Sequence, residues 1–295
     1  MMVFLLGRSS NAGVSSSRSA RLGTGQLFWT SRSELFLLSM LLAVPNAIWN
    51  RILTGIETHG LIGSALATFE ISAIVWLSLC LAISILWKAE RGRTDWLDRV
   101  LFLMVLLATA LPIGAGTWLA VTASSAFYLA RKNLAPEEKA AAAIILAVTA
   151  PMFWSRRLLE VFGPTVLSID AYLVSLVTGT ESVANVVPLP NAEGFLMIAT
   201  PCSSLANVSI GLLLWTSWTQ YFRMPFDLFF WIWCAIVCSV VVAINVVRIS
   251  LIGYYPEHYE LLHGAGGNAV TSWLTTFAIL FISYKGTRRA GYRLH

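Results

Sequence analysis

Cys202, Arg248 and His263 have the residue types and placement to assemble a nucleophile: a thiol, a fixed cation and an imidazole. A thiolate attacks a carbonyl carbon, and an imidazole can take the thiol proton and return it to a leaving amine. A guanidinium stays protonated, so its part is to hold a thiolate, an oxyanion or an acidic substrate side chain. Each residue stands at the end of one of three successive apolar segments. Cys202 opens the first (Thr200-Pro201-Cys202-Ser203-Ser204-Leu205), Arg248 closes the second (Asn245-Val246-Val247-Arg248-Ile249), and His263 lies in the connection to the third. A helix beginning at Ser203 or Ser204 would set the thiol at a helix N-terminus, where unpaired N–H groups and the macrodipole lower a thiol pKa. Asn245 falls one turn before Arg248 on the same helix face and is a candidate supporting residue. Ser203 and Ser204 are candidates for supporting the nucleophile or touching substrate.

The elements that must carry these residues are membrane helices. Of the 295 residues 57% are hydrophobic and 12% charged, with a mean hydropathy of +0.72. That composition excludes a soluble domain of this length and predicts an all-α polytopic membrane protein. A hydrocarbon core about 30 Å thick takes roughly 20 apolar helical residues per crossing. Eight crossings are predicted, at about 35–54, 61–87, 99–114, 116–131, 139–154, 203–222, 227–249 and 269–285. The spans around Pro112, Gly114 and Gly116 also read as one broken hairpin.

The formal charge of +5 is distributed as a membrane topology signal. With the N-terminus inside, every one of the 20 Lys and Arg except Arg51, Arg156, Arg157 and Arg248 falls on the inner side. The positive-inside rule therefore predicts both termini in the cytoplasm, and no nucleic-acid partner is expected. The same threading delivers Cys202, Arg248 and His263 to the outer face. Residues 1–33, rich in Ser, Gly and Arg, read as a basic cytoplasmic tail without a cleaved signal. The four regions expected are this tail, an N-terminal four-helix membrane region over 34–138, a catalytic membrane region over 139–285, and a second basic cytoplasmic tail over 286–295.

The outer segment 155–201 precedes the cysteine. Its first half, Arg156 to Val177, has apolar residues at helical intervals with Glu160 and Asp170 among them, as in an amphipathic helix at the interface. Ser182 to Thr200 reads as two short strands joined across Pro188 to Gly194, the second leading into Cys202.

The other reactive side chains have simpler explanations. Cys80, Cys234 and Cys238 lie inside spans and read as packing residues. His59 and His258 read as solvated loop residues, with His258 the competitor of His263, and His295 has no evident role. Arg51 reads as an interface anchor that snorkels, and the 12 Trp as interface residues. Glu70 is predicted to lie deep in the second crossing, where an acid is costly and marks a functional suspicion. The Cys and His spacing fits no zinc site, and no metal or cofactor is expected.

A Cys-Ser pair opening a membrane helix, Asn-x-x-Arg-Ile ending the next, and His-Gly before the last span resemble the exosortase/archaeosortase family. The resemblance covers roughly residues 140–285 and departs from the family's usual Cys-Ser-Gly at Ser204. It implies a membrane-embedded cysteine peptidase or transpeptidase with Cys202, Arg248 and His263 as catalytic residues. The implied partner is an exported protein whose C-terminus carries a short motif, a transmembrane helix and a basic cluster, as in the PEP-CTERM type. The implied place is the bacterial inner membrane, with the active site on the periplasmic face and the substrate entering laterally from the bilayer. Two other readings stand beside it: a non-catalytic membrane component of a protein-export or exopolysaccharide-assembly system, and a small-solute transporter, to which Glu70 and broken helices would lend support.

Overall fold

The computed structural model describes residues 31–66, 68–89, 92–111 and 114–289, and the chain over them is almost entirely helical. Ten α-helices run in chain order: α1 Arg32–Leu66, α2 Ala73–Lys88, α3 Trp96–Ala110, α4 Gly114–Ala130, α5 Pro136–Thr149, α6 Ser155–Thr178, α7 Ser204–Tyr221, α8 Leu228–Tyr254, the single turn α9 Tyr259–His263, and α10 Ala265–Arg289. Two strands, β1 Val186–Pro188 and β2 Phe195–Met197, pair antiparallel between α6 and α7. Of the tail assigned to 1–33, only Ser31, Arg32 and Ser33 are among the described residues, and the last two open α1. Of the C-terminal tail, residues up to Arg289 continue α10, and 290–295 lie outside the described residues.

Helix α5 is the hub. Its Ala140, Ala141, Ala142, Ile144, Ile145 and Val148 are all buried, because the helix packs against α2, α4 and α7 at once. A helix enclosed on every side needs apolar residues all round, and a run of alanines lets the neighbouring backbones come close. The outer surface of the bundle is the reverse of a soluble protein's, with Ile62, Leu77, Trp87, Val161, Val270 and Phe281 all well exposed. By length and composition, three helical runs among the described residues are able to cross a membrane, Arg32–Ala65, Pro136–Thr178 and Leu228–Tyr254, with a fourth if the bent pair Pro256–His263 and Gly266–Arg288 is one span.

Two breaks depart from the sequence reading. Helix α5 does not stop before the amphipathic segment: Pro151 has no N–H to give, and the backbone passes through one π-turn, Ala150–Trp154, where Ser155 N reaches back to Ala150 O. The predicted fifth crossing and amphipathic helix are thus one helical run. The second predicted crossing starts later than expected. Helix α1 continues past a kink at Gly60, and Thr68, Phe69 and Glu70, all with positive φ, turn the chain into α2. Glu70 is consequently not deep in a helix. It sits in that turn, its side chain 61% exposed and 3.6 Å from His59, and not in a crossing helix as expected. His59 is a helix residue, not a loop one. Cys80 is exposed on α2, where it was expected to be packed.

The end of the bundle opposite Cys202 is fastened by charge. Asp98, with a fully buried side chain, accepts from Arg32 Nε at 3.0 Å and Arg131 Nη1 at 2.6 Å, from Tyr128 Oη at 3.3 Å, and from Asp95 N at 2.9 Å. Asp95 returns the last contact by capping α3 through Asp98 N. One carboxylate thereby joins the starts of α1 and α3 to the end of α4. Replacing Asp98 with Ala removes the carboxylate that Arg32 and Arg131 share, leaving Arg131 to Asp95 and Arg32 to Glu138 and Asp95, and is expected to cost about 1–3 kcal/mol, read as a lowered thermal midpoint in detergent. An unchanged midpoint would mean that the network holds nothing together.

Candidate active site

Cys202 is delivered by the hairpin. The register pairs Val186 with Met197, Val187 with Leu196 and Pro188 with Phe195, and Asn185 closes the base by donating Nδ2 to Ile198 O at 2.9 Å while accepting Ile198 N at 2.8 Å. The inward side chains Val187 and Ile198 bury against Ala171 and Val174 of α6 and Val246 and Ile249 of α8, with Cys202 packed on the same cluster. The chain then makes a 3₁₀ turn, Thr200–Cys202, whose last N–H bonds Ala199 O at 2.9 Å.

Helix α7 begins at Ser204, with Ser203 as its N-cap accepting from Leu205 N at 3.2 Å. Cys202 is therefore one residue outside the cap, and the first free N–H is already taken: Ser204 N donates to the buried Asp170 Oδ2 at 3.0 Å. An acid from α6, not the thiol, occupies the positive end of this helix. Asn245 of α8 holds the other side. Its Nδ2 donates to Cys202 O at 2.8 Å and Ser204 Oγ at 3.0 Å, and its Oδ1 accepts from Asn207 Nδ2 at 3.3 Å.

The structure brings Cys202 and His263 together, with Sγ 3.9 Å from Nδ1. His263 stacks on Tyr259, ring centroids 4.8 Å apart at 22°, whereas its competitor His258 is exposed and stacks on Tyr255. Arg248 secures the segment that carries the imidazole. Its Nε donates to Leu262 O at 3.2 Å and its Nη2 to Asn268 Oδ1 at 2.5 Å, and Asn268 Nδ2 donates to His263 O at 2.9 Å. Among the described residues Nη1 is left without an acceptor.

The thiol does not have the lowered pKa that its place near a helix start suggested. Burial pushes it above the ordinary cysteine value; the Arg248 charge and the Ala199 backbone contact pull it down, and the Asp170 carboxylate pushes it further up. Desolvation prevails because the sulfur rests on the apolar cluster below the hairpin. A thiol raised in this way can act as a nucleophile only if its proton is removed as attack proceeds.

Beside the cysteine lies a polar cleft of about 260 Å³, lined by Pro201, Asn207, Arg248, Asn268 and Thr271 among others. It shares Ile74 and Thr276 with an apolar groove of about 300 Å³ that runs between α2, α7 and α10 toward Trp218 and Tyr221.

Asp170, Asn207, Asn268 and Tyr259 were not among the expected site residues. Asp170 had a signal, as one of two acids on an otherwise apolar helical stripe; Asn268 and Asn207 had none beyond being polar residues near span ends. Cys234 and Cys238, one turn apart within α8, are not part of the site. No protein-family model, curated protein or solved structure matches the chain.

The pH dependence of Cys202 alkylation by a membrane-impermeant reagent checks this electrostatic layout. Its midpoint is expected above that of an ordinary thiol, lower in Asp170→Asn, which keeps an acceptor for Ser204 N but removes the negative charge, and higher in Arg248→Gln. Unchanged midpoints in both variants would show that neither charge acts on the sulfur, and shifts of reversed sign would contradict the layout.

Proposed function

We propose that the protein is an integral-membrane cysteine peptidase or transpeptidase of the exosortase/archaeosortase type, acting on C-terminal sorting signals of exported proteins. The observation that carries this reading is the 3.9 Å approach of Cys202 Sγ to His263 Nδ1, in a segment that Arg248 ties down. His263 takes the thiol proton as sulfur attacks a peptide carbonyl, the C–S bond forms and the C–N bond breaks, and the leaving amine receives the proton. Water, an amine or another acceptor then resolves the thioester. Arg248, with one guanidinium nitrogen unengaged, supplies a donor for the oxyanion.

In this reading α1 to α5, α7, α8 and α10 each cross the bacterial inner membrane, both termini are cytoplasmic, and the cysteine faces the periplasm. The distribution of Lys and Arg supports that orientation. The polar cleft takes the motif of the substrate in extended form, and the apolar groove continuing from it takes the transmembrane helix that follows. The basic cluster of the substrate then ends on the cytoplasmic side.

The upward shift of the thiol favours a second reading, a non-catalytic membrane component of an export or exopolysaccharide-assembly system. The transporter alternative loses the support of Glu70, which sits in an exposed turn, and keeps only that of the helix breaks.

Co-expression with a substrate bearing such a signal separates the readings. Cys202→Ala and Cys202→Ser are expected to abolish processing at unchanged membrane abundance, and His263→Ala to slow it roughly 10²–10⁴-fold. Cys80→Ser should process normally. Unchanged processing by Cys202→Ala would contradict the enzyme reading and leave the scaffold.

A further inference from the structure

The end of the bundle that bears the hairpin holds a second polar pocket, apart from the cysteine. It measures about 230 Å³ and is formed where the middle of α1 meets the start of α4 and the π-turn leading into α6. Arg51, Arg156 and Arg157 line it together with Asn50, and the small residues Ala47, Gly114 and Ala115 leave its space open. These three arginines are also three of the four basic residues that the positive-inside pattern leaves on the disfavoured side.

Among the described residues two of the three have no ion-pair partner. Arg157 is paired with Glu160 at 2.5 Å and lies over the Phe153 ring at 5.8 Å. Arg51 is half-buried and Arg156 exposed, and among the described residues neither forms an ion pair or hydrogen bond. Arg156 is near enough to repel Arg51, and the acid near enough to attract it is Glu70, which is engaged with His59. Two like charges converging on one pocket, one of them partly desolvated, raise the energy of the empty protein. A bound anion removes that cost, and guanidinium groups suit a phosphate through paired, charge-assisted hydrogen bonds.

The surroundings indicate where the phosphate comes from. Trp49 and Leu53, on either side of Arg51 in α1, and Val161 and Phe162, just beyond Arg157 in α6, are large apolar side chains exposed at the same end. A ligand with a charged head and an apolar tail meets both surfaces; a soluble anion meets only one.

We propose that Arg51 and Arg156, with Arg157 beside them, form a binding site for the phosphate headgroup of an anionic lipid, distinct from the Cys202 site. The assignment does not depend on the peptidase reading.

Thermal unfolding of the full-length protein in a neutral detergent tests it, with dioleoyl phosphatidylglycerol, dioleoyl phosphatidylcholine or inorganic phosphate added. Phosphatidylglycerol is expected to raise the midpoint of the wild type well above the effect of phosphatidylcholine. The double variant Arg51→Gln/Arg156→Gln should lose that response, its affinity for phosphatidylglycerol falling by roughly tenfold or more. Without lipid the same variant should melt no lower than the wild type, since it is relieved of a repulsion; a structural role for the arginines would lower it. Lys132→Gln, which removes one charge at the opposite end of the bundle, should respond as the wild type does. Equal stabilisation by inorganic phosphate would overturn the lipid source in favour of a soluble phosphate compound. Stabilisation retained in the double variant, or absent from the wild type, would overturn the site.

Discussion

One buried amide holds the candidate site in register. Asn245, 1% exposed toward the end of an apolar helix, donates to the Cys202 carbonyl and the Ser204 hydroxyl and accepts from Asn207. A primary amide without partners in such surroundings costs several kcal/mol, so the α7–α8 packing is constrained to the arrangement that satisfies it. Arg248 follows three residues later on the same helix, and its contacts to Leu262 and Asn268 place the imidazole. Fixing Asn245 against the start of α7 therefore fixes the cation, and through it the histidine, relative to the sulfur.

The electrostatics at the two ends of the bundle are opposite in kind. Around Asp98 each guanidinium finds a carboxylate, and the result is a fastening. Around Cys202 the charges are spread: Arg248 on one side, Asp170 on the other, and a sulfur whose protonation is dominated by burial. A thiol held protonated at rest is protected from adventitious oxidation, which proceeds through the thiolate. In the proposed reaction the imidazole removes the proton only when a carbonyl is in place.

Much of this arrangement was legible because it follows from short-range rules. The helix start at Ser204, the hairpin between Pro188 and Gly194, and the choice of residues at the ends of α7 and α8 follow from capping, turn chemistry and hydrophobic runs. The continuity of α5 and α6 was harder to read, because a proline more often ends a helix than passes through a π-turn. Glu70 was misplaced for a related reason: the apolar run from Leu61 to Trp87 conceals a left-handed turn at Thr68–Glu70 that no glycine or proline marks. Asp170 and Asn268 depend on tertiary approach, which hydropathy does not encode. The expectation of a lowered thiol pKa failed because the sulfur is buried against side chains of α6 and α8 and because Asp170 takes the helix end, and both depend on elements distant in sequence.

The central claim is that Cys202 becomes covalently acylated by a peptide. Its most direct test is peptide mapping by mass spectrometry of the protein purified at low pH from cells that express a substrate with a C-terminal signal. The expected product is a hydroxylamine-sensitive thioester on Cys202, carrying the substrate residue that precedes the cleaved bond. A substrate fully processed while Cys202 carries only a free thiol, with the acyl group found on another residue, would contradict it.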